Sequence, residues 1–196
     1  CSFCNSYKIT PEVFDSWIRI LQAVPTSSLM LYADSEIAQA NLRREAEARG
    51  VGADRLVFGA RVGVPDYLAR LAACDLFLDT LPYNGGTTAN DALWMGLPLL
   101  TMASETMTSR MAASLLHTLG LDELVATNWS DYEARAIELA TQPERYAVIK
   151  KKLHEQRTKS PLFDTARTTQ AIEHGYCMAL ERYWQGLAPN HLFVPA

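Results

Sequence analysis

The amino-acid sequence predicts an α/β fold, a Rossmann-like parallel sheet with helices on both faces. Short apolar runs alternate with amphipathic segments along most of the 196 residues. The apolar runs are hydrophobic throughout, which is typical of parallel strands that are buried on both faces. With 48% hydrophobic and 20% charged residues, the composition is that of an ordinary globular domain. We therefore expect one domain, because the length is too short for two full-sized α/β lobes.

The elements of the first half follow from apolar periodicity and from helix start and stop signals. Residues 1–5 read as the middle of a strand, so we expect the chain to be a piece of a longer protein. Thr10 and Pro11 are an N-cap and a first-turn residue. The elements predicted next are a helix with Val13, Phe14, Trp17, Ile18 and Leu21 on one face, a strand over 28–33, a helix over 36–49 stopped by Gly50, a strand over 55–59, a helix opened by Pro65 and a strand over 75–79.

The second half changes character towards its end. After a glycine-containing loop, the pattern predicts a helix over 88–94 that ends at Gly96, a strand over 99–102 and a helix over 109–119 that ends at Gly120. The last third is predicted to be all helical, with a capping box at Ser130-x-x-Glu133, a helix after Pro143 and a long helix over 164–184 with the apolar stripe Ile172, Tyr176, Leu180 and Trp184. We therefore expect a parallel α/β core over 1–125 and a helical extension over 126–196, which together form a single lobe.

Charge and cysteine content exclude several functions. With 18 basic against 22 acidic residues, the net charge of -4 argues against a general nucleic-acid binder. No apolar run approaches the roughly 18 residues of a membrane span. The Cys1-x-x-Cys4 spacing allows a redox or zinc site, but the chain has no second cysteine pair, and no helix follows directly. Buried strand cysteines are the better interpretation.

The segment from Asp79 to Thr88 is the most unusual strand end. In an open α/β sheet, ligands bind at the carboxyl ends of the strands. Gly85 and Gly86 allow close approach of a ligand, and Thr87 and Thr88 present hydroxyl groups at a helix N-terminus, which favours a phosphate. Asp91 would lie one turn further on, within reach of a sugar hydroxyl. The alternative is that Thr88-x-x-Asp91 is only a capping box after a turn.

Two further signals are weaker when taken alone. Lys8 follows the first strand and could neutralise a diphosphate, although an isolated Lys is more often a solvated charge. Tyr67 and Arg70 share a helix face and could supply a stacking ring and a base-edge donor, or form a surface cation–π pair. The sequence has no Walker loop, no Gly-x-Gly-x-x-Gly after the first strand and no Asp-x-Asp dyad, and its four histidines are scattered. We therefore expect no metal site and no cofactor.

The order of these pieces resembles a known family. The segments that carry the resemblance are Asn5-Ser-Tyr-Lys8-Ile-x-Pro11, Leu78-Asp-Thr80-x-x-x-Asn84-Gly-x-Thr87-Thr88-x-x-Asp91-x-Leu-Trp94-x-Gly96-x-Pro98, Ser109-Arg110-x-Ala112-Ala113-Ser114 and Ser160-Pro161-Leu162-Phe163-Asp164. Together they resemble the C-terminal catalytic lobe of the O-linked N-acetylglucosamine transferases, and especially the bacterial members and their Spindly-type plant relatives.

The resemblance implies a chemistry for each segment. The family is a group of inverting, metal-independent glycosyltransferases of the two-lobed B architecture, which transfer a sugar from a UDP-sugar, here UDP-GlcNAc, to Ser or Thr of a protein. It implies that Asn5 and Lys8 contact the donor phosphates and that Lys8 is catalytic. The other donor-binding positions that it implies are Gly85, Gly86, Thr87 and Thr88 at the diphosphate, Asp91 at the ribose, and Val62, Tyr67 and Arg70 at the uracil.

The resemblance also implies what lies outside this chain. An N-terminal lobe with the general base, and tetratricopeptide repeats that recruit the protein acceptor, would belong to the full-length protein, in the cytoplasm. We expect the fragment alone to bind nucleotide weakly and to transfer nothing. The sequence departs from the family at Tyr67 and at Gly86, where a His is usual, and at Val64, where a Lys is usual. The alternatives are a sugar-nucleotide epimerase-like enzyme and a non-catalytic nucleotide-binding scaffold domain.

Overall fold

The computed structural model describes residues 1–33 and 35–195 and has the predicted alternation of strands and helices. The strands are β1 (Leu29–Tyr32), β2 (Leu56–Gly59), β3 (Phe77–Leu78), β4 (Leu99–Met102) and β5 (Val125–Ala126). The helices are α1 (Pro11–Ala23), α2 (Glu36–Ala48), α3 (Val64–Ala72), α4 (Thr87–Trp94), α5 (Met111–Thr118), α6 (Trp129–Thr141), α7 (Pro143–Arg157) and α8 (Thr165–Trp184). None of these helices is long and apolar enough to cross a membrane.

All strand pairs are parallel, and the first residues of the chain join two groups of strands. β1 pairs with β2, and β3, β4 and β5 form a second group in that order. The Ser2 amide donates to the Met30 carbonyl over 2.9 Å, while the Leu78 amide donates to the Cys1 carbonyl over 2.8 Å. The order is therefore β2, β1, the N-terminal segment, β3, β4, β5, which is the strand order of a Rossmann fold. This confirms the predicted fold class.

Two clusters of buried side chains hold the helices to the sheet. One contains Trp17 of α1 and Tyr132 of α6, packed with residues of β1 and β4. The other contains Leu93 of α4, Leu116 of α5 and Leu153 of α7. Each strand contributes at least one buried residue to one of these two clusters.

The structure confirms most predicted helix boundaries, because they depend on local signals. The Thr10 hydroxyl accepts from the Val13 amide and caps α1. Helices α2, α4 and α5 are followed by Gly50, Gly96 and Gly120, all with positive φ, as predicted for C-terminal glycines. The Ser130-x-x-Glu133 capping box is wrong, since α6 begins at Trp129 and the Asn128 side chain accepts from the Asp131 amide.

The last third differs from the prediction in two ways. The short strand β5 was not predicted, and it carries the sheet across the expected boundary at residue 125. Helices α6 and α7 also contribute buried residues to the two clusters, so they belong to the packed core. By contrast, α8 has no buried residue, and its predicted stripe of Ile172, Tyr176, Leu180 and Trp184 is exposed.

Candidate functional site

The candidate site lies where the strand order reverses. The N-terminal segment and β3 are neighbours in the sheet, and the chain leaves them in opposite directions, to α1 and to α4. Such a point forms a crevice at the carboxyl edge, where ligands of Rossmann-like folds bind. Two segments that the sequence analysis selected meet here, the turn Ser6–Lys8 and the loop over residues 79–86.

A buried carboxylate anchors the loop from below. Asp79 follows β3 and is 2% exposed. Its Oδ1 accepts from the Gly85 amide over 2.7 Å, and its Oδ2 accepts from the Thr101 hydroxyl over 2.6 Å. Burial raises the pKa of Asp79 to about 6, and the hydrogen bonds from Thr101 and Gly85 oppose that rise. The Gly85 amide is thus engaged by the protein itself.

Gly85 must be small because the loop is closely packed around it. A Cβ atom at Gly85 would lie 3.3 Å from the Ala89 Cβ, from the Ala89 amide nitrogen and from Asp79 Oδ1. At Gly86 a Cβ would lie 2.9 Å from the Met111 Cε, which is the flexible end of a long side chain. The two glycines therefore have different roles: the first permits packing below the loop, and the second adjoins a side chain that can move.

Asn84 connects the loop to its surroundings. Its side chain is fully buried, and Nδ2 donates to the Thr80 carbonyl over 2.8 Å. Its amide donates to the carbonyl of Thr108 over 3.0 Å. The Asn84 Oδ1 has no hydrogen-bond partner in the part of the chain that the structure describes. The hydrogen bonds of Asn84 to the Thr80 and Thr108 carbonyls fix the backbone that precedes α4.

The N-terminus of α4 is open. The helix begins at Thr87 with Gly86 as the N-cap residue, and no side chain caps it. The Thr88-x-x-Asp91 capping box is therefore wrong, since Thr88 already lies within the helix. Within residues 1–33 and 35–195, the amide groups of Thr87, Thr88 and Ala89 have no hydrogen-bond acceptor. Three free N–H groups and the positive end of the helix dipole together favour an anion.

Lys8 brings a full positive charge to the same loop. It lies in the short 3₁₀ turn Ser6–Lys8 after the N-terminal segment. Its Nζ donates to the Asn84 carbonyl over 2.9 Å and lies 3.7 Å from the centroid of the Tyr83 ring. Asn5 precedes this turn and is exposed. The structure thus brings Lys8 within two residues of the α4 N-cap.

Tyr67 lies beside α4, and Val62 and Arg70 lie nearer the end of β2. The Tyr67 ring packs against Phe3, with the ring centroids 6.3 Å apart, and is half-buried. Burial raises the pKa of Tyr67 above its usual range, and the nearby Asp91 carboxylate raises it further. Arg70 Nη1 donates to the Ala60 carbonyl over 2.9 Å, and Val62 is exposed in the same loop.

Two buried side chains that were not predicted as site residues support the site from behind. The Tyr132 hydroxyl of α6 donates to the Asp79 carbonyl over 3.0 Å, and Trp17 Nε1 of α1 donates to the Tyr132 oxygen over 3.4 Å. Both side chains are fully buried. Trp17 was predicted to lie on the apolar face of its helix, but no local pattern indicates which backbone group a buried hydroxyl will reach. Tyr83 and Thr101 were likewise not selected from the sequence.

The cysteines carry no reactive group at this site. All four are free thiols, and burial raises the pKa of Cys4 to about 11. A reactive cysteine needs a lowered pKa. Within the described ranges, no group of three or more His, Cys, Asp and Glu side chains is arranged to hold a metal ion. The prediction that Cys1 and Cys4 are buried is confirmed for Cys4, whereas Cys1 is only partly buried.

The chain is similar in structure and in sequence to known proteins. A solved structure of an O-GlcNAc transferase mutant from Thermobaculum terrenum superposes with a TM-score of 0.84 and 34% identity, and the match covers 89% of this chain and 34% of that one. A UDP-N-acetylglucosamine–peptide N-acetylglucosaminyltransferase of Caenorhabditis elegans is 35% identical over 98% of this chain and 17% of its own length. A probable enzyme of the same name from Arabidopsis thaliana is 33% identical over 98% of this chain and 20% of its own.

The chain thus spans about a fifth of the length of these curated relatives. The sequence model of glycosyl transferase family 41 matches residues 1–172, which include every candidate site residue named above. The family resemblance predicted from the sequence is confirmed. The chain belongs to glycosyl transferase family 41.

Proposed function

We propose that this chain is the donor-binding half of a glycosyltransferase and holds the diphosphate of a UDP-sugar at the N-terminus of α4. The observation that carries the proposal is the uncapped first turn of α4, with Lys8 positioned over the loop that leads into it. A diphosphate requires hydrogen-bond donors and positive charge, and this arrangement supplies both. The names of the relatives support UDP-GlcNAc as the donor, and they support a transferase over an epimerase.

The remaining donor contacts extend on either side of the diphosphate. The hydroxyls of Thr87 and Thr88 lie in the same turn as the free amides and would bind phosphate oxygens. Asp91 lies one turn along α4 and would accept from the ribose hydroxyls. Arg70 and the backbone at Val62 would contact the uracil edge, and the Tyr67 ring would contact its face. Asn5 would add a side-chain donor from the opposite wall of the crevice.

Lys8 would act on the leaving group. As the sugar–oxygen bond breaks, negative charge grows on the UDP, and a positioned ammonium stabilises this charge more in the transition state than in the ground state. With the α4 dipole, Lys8 would do what a divalent cation does in other glycosyltransferases, so we propose a metal-independent reaction. Direct displacement by a Ser or Thr hydroxyl of a protein acceptor would invert the sugar carbon.

The rest of the reaction would require parts outside this chain. In the full-length protein we propose an N-terminal lobe that supplies the general base, and repeats that recruit the acceptor in the cytoplasm. The 196-residue chain would therefore bind nucleotide and transfer nothing. Incubation of the isolated chain with UDP-GlcNAc and an acceptor peptide tests this directly. Glycosylation well above background would contradict it.

Calorimetric titration of the chain with UDP tests the donor site. We expect Asp91→Asn to weaken UDP binding about 10-fold, since a carboxylate that accepts ribose hydroxyl groups contributes on the order of 1.5 kcal/mol. Asp54→Asn is the matched control, because Asp54 is exposed in the turn before β2, at the opposite edge of the sheet. Equal UDP affinity in the two variants would show that Asp91 does not contribute to UDP binding.

Turnover in the full-length protein tests Lys8. Lys8→Ala should lower kcat by about 100-fold or more and change the UDP affinity less, because the charge on the leaving group develops during bond cleavage. Lys151→Ala is the matched control, since Lys151 is exposed on α7 far along the chain from the loop. Activity should also survive a chelator such as EDTA. An unchanged kcat in Lys8→Ala would refute the assigned role.

A further inference from the structure

The side chain of Tyr83 contacts Lys8 at the loop, and the proposed function gives it no role. The Lys8 ammonium lies 3.7 Å from the centroid of the Tyr83 ring, a distance typical of a cation–π contact. The same ammonium donates to the carbonyl of Asn84, the next residue along the chain. Two consecutive residues of the loop therefore hold the Lys8 side chain, one through its ring and one through its backbone.

The Tyr83 ring has a fixed base. The Tyr83 carbonyl accepts from the Thr80 hydroxyl over 2.7 Å, and Thr80 is fully buried. On the other side, the buried Asn84 side chain donates to the Thr80 carbonyl. The Tyr83 backbone and the Asn84 side chain are thus both bonded to Thr80, just after β3. Tyr83 is 44% exposed, so its side chain is accessible from solvent beside the loop.

Both groups that hold Lys8 are electrically neutral. Among the residues that the structure describes, Lys8 forms no salt bridge with a carboxylate. A carboxylate partner would hold the ammonium more strongly, but it would also cancel the charge and compete with a phosphate. A ring face and a carbonyl restrict a flexible four-carbon side chain and leave its charge available to an anion.

We propose that Tyr83 is a positioning residue that holds the Lys8 ammonium over the loop before α4, ready for the diphosphate of the donor. The inference rests on the proposed function for the role of Lys8, but the contact itself does not. Because the ring acts through Lys8, loss of the ring should lower kcat by about 2- to 30-fold, which corresponds to the free energy of one cation–π contact. Donor affinity should change less, as for Lys8 itself.

Two substitutions separate the ring face from the volume of the side chain. Tyr83→Phe keeps the aromatic face, and Tyr83→Leu keeps an apolar side chain without it. In NMR spectra of the 196-residue chain, the Lys8 ε-methylene protons should be shifted upfield by the ring current in the wild type and in Tyr83→Phe. They should resemble those of exposed Lys151 in Tyr83→Leu. In the full-length protein, kcat should fall in Tyr83→Leu and return in Tyr83→Phe, with KM for the UDP-sugar nearly constant.

The outcomes distinguish this inference from the proposed function. If Tyr83→Leu and Tyr83→Phe have the same Lys8 shifts and the same kcat, the positioning role is refuted, even if Lys8→Ala is inactive. If the Lys8 shift depends on the ring but Lys8→Ala keeps full turnover, the contact exists and the proposed function of Lys8 fails. A fall in kcat in both Tyr83 variants with a normal Lys8 shift would also overturn the positioning role.

Discussion

Substitution of Tyr132 by Phe removes one hydroxyl group from behind the candidate site. This hydroxyl donates to the Asp79 carbonyl over 3.0 Å and accepts from Trp17 Nε1 over 3.4 Å, and all three residues are buried. Phe fills nearly the same volume, so the substitution creates almost no cavity. Its effect on stability should therefore come from the two polar groups that lose their partner.

The cost follows from burial. A buried donor or acceptor that is left without a partner costs roughly 1–3 kcal/mol, since water cannot replace the missing group. The Asp79 carbonyl loses a short hydrogen bond, and the Trp17 N–H loses a long and weaker one. We therefore expect Tyr132→Phe to lower the free energy of unfolding by about 2–3 kcal/mol. The loop after β3 would lose its connection to α6, so UDP affinity should fall as well.

The chain offers a matched control in Tyr146. Its hydroxyl also donates to a backbone carbonyl, that of Asp75, over 2.9 Å, but at an exposed position. In Tyr146→Phe, water can take the place of the hydroxyl, so the free energy of unfolding should change by less than about 0.5 kcal/mol. Urea unfolding followed by tryptophan fluorescence measures both variants. If Tyr132→Phe costs no more than Tyr146→Phe, then the buried hydrogen bonds do not support the site as described.

Three further predictions concern the loop and the last helix. Gly85→Ala should lower the free energy of unfolding by about 1 kcal/mol or more, because the new Cβ would press on Ala89 and Asp79. Gly63→Ala is the control and should be nearly neutral in the same urea experiment. The φ of Gly63 is −64°, and the nearest atom to a Cβ there lies 3.8 Å away. Burial raises the folded-state pKa of Asp79 from 3.8 to about 6. The contribution of Asp79 to the free energy of unfolding is therefore fully present below pH 3.8 and is lost as the pH rises through 6. Between pH 4 and pH 7, the free energy of unfolding of Asp79→Asn should therefore rise by up to about 3 kcal/mol relative to that of the wild type. A difference between the two proteins that does not depend on pH would contradict this. Removal of everything after Asp164 should leave the melting temperature nearly unchanged, since α8 buries none of its residues; a large loss of thermal stability would show that α8 belongs to the core.

Most of the fold could be predicted because its signals are local. Helix starts such as Thr10-Pro11 and stops such as Gly50 depend on the backbone needs of a few neighbouring residues. Strand β4 lies at the predicted residues, since a short and mostly apolar run between two turn signals favours a buried strand. Strand β5 is only two residues long and carries no such signal, so it was missed.

Two capping-box patterns of the sequence are not used in the structure, and one of them was the alternative interpretation of the loop before α4. Thr88-x-x-Asp91 and Ser130-x-x-Glu133 both have capping-box spacing, but neither box forms. In the first case α4 begins one residue earlier, at Thr87, with Gly86 as its uncapped N-cap residue. In the second, Asn128 is an equally good cap two residues earlier and takes the position. Which cap is used depends on where the chain enters the helix from the sheet.

The sequence by itself determined the fold class, the family and the residues that form the loop before α4. Apolar periodicity, glycines and motif spacing are properties of neighbouring residues, and they survive without any tertiary contact. Only the tertiary structure decided that Asp79 holds the Gly85 amide, that Tyr132 of α6 supports Asp79, and that Tyr83 holds Lys8. These contacts depend on the distance and direction between side chains that packing brings together, and a linear pattern carries no information about either.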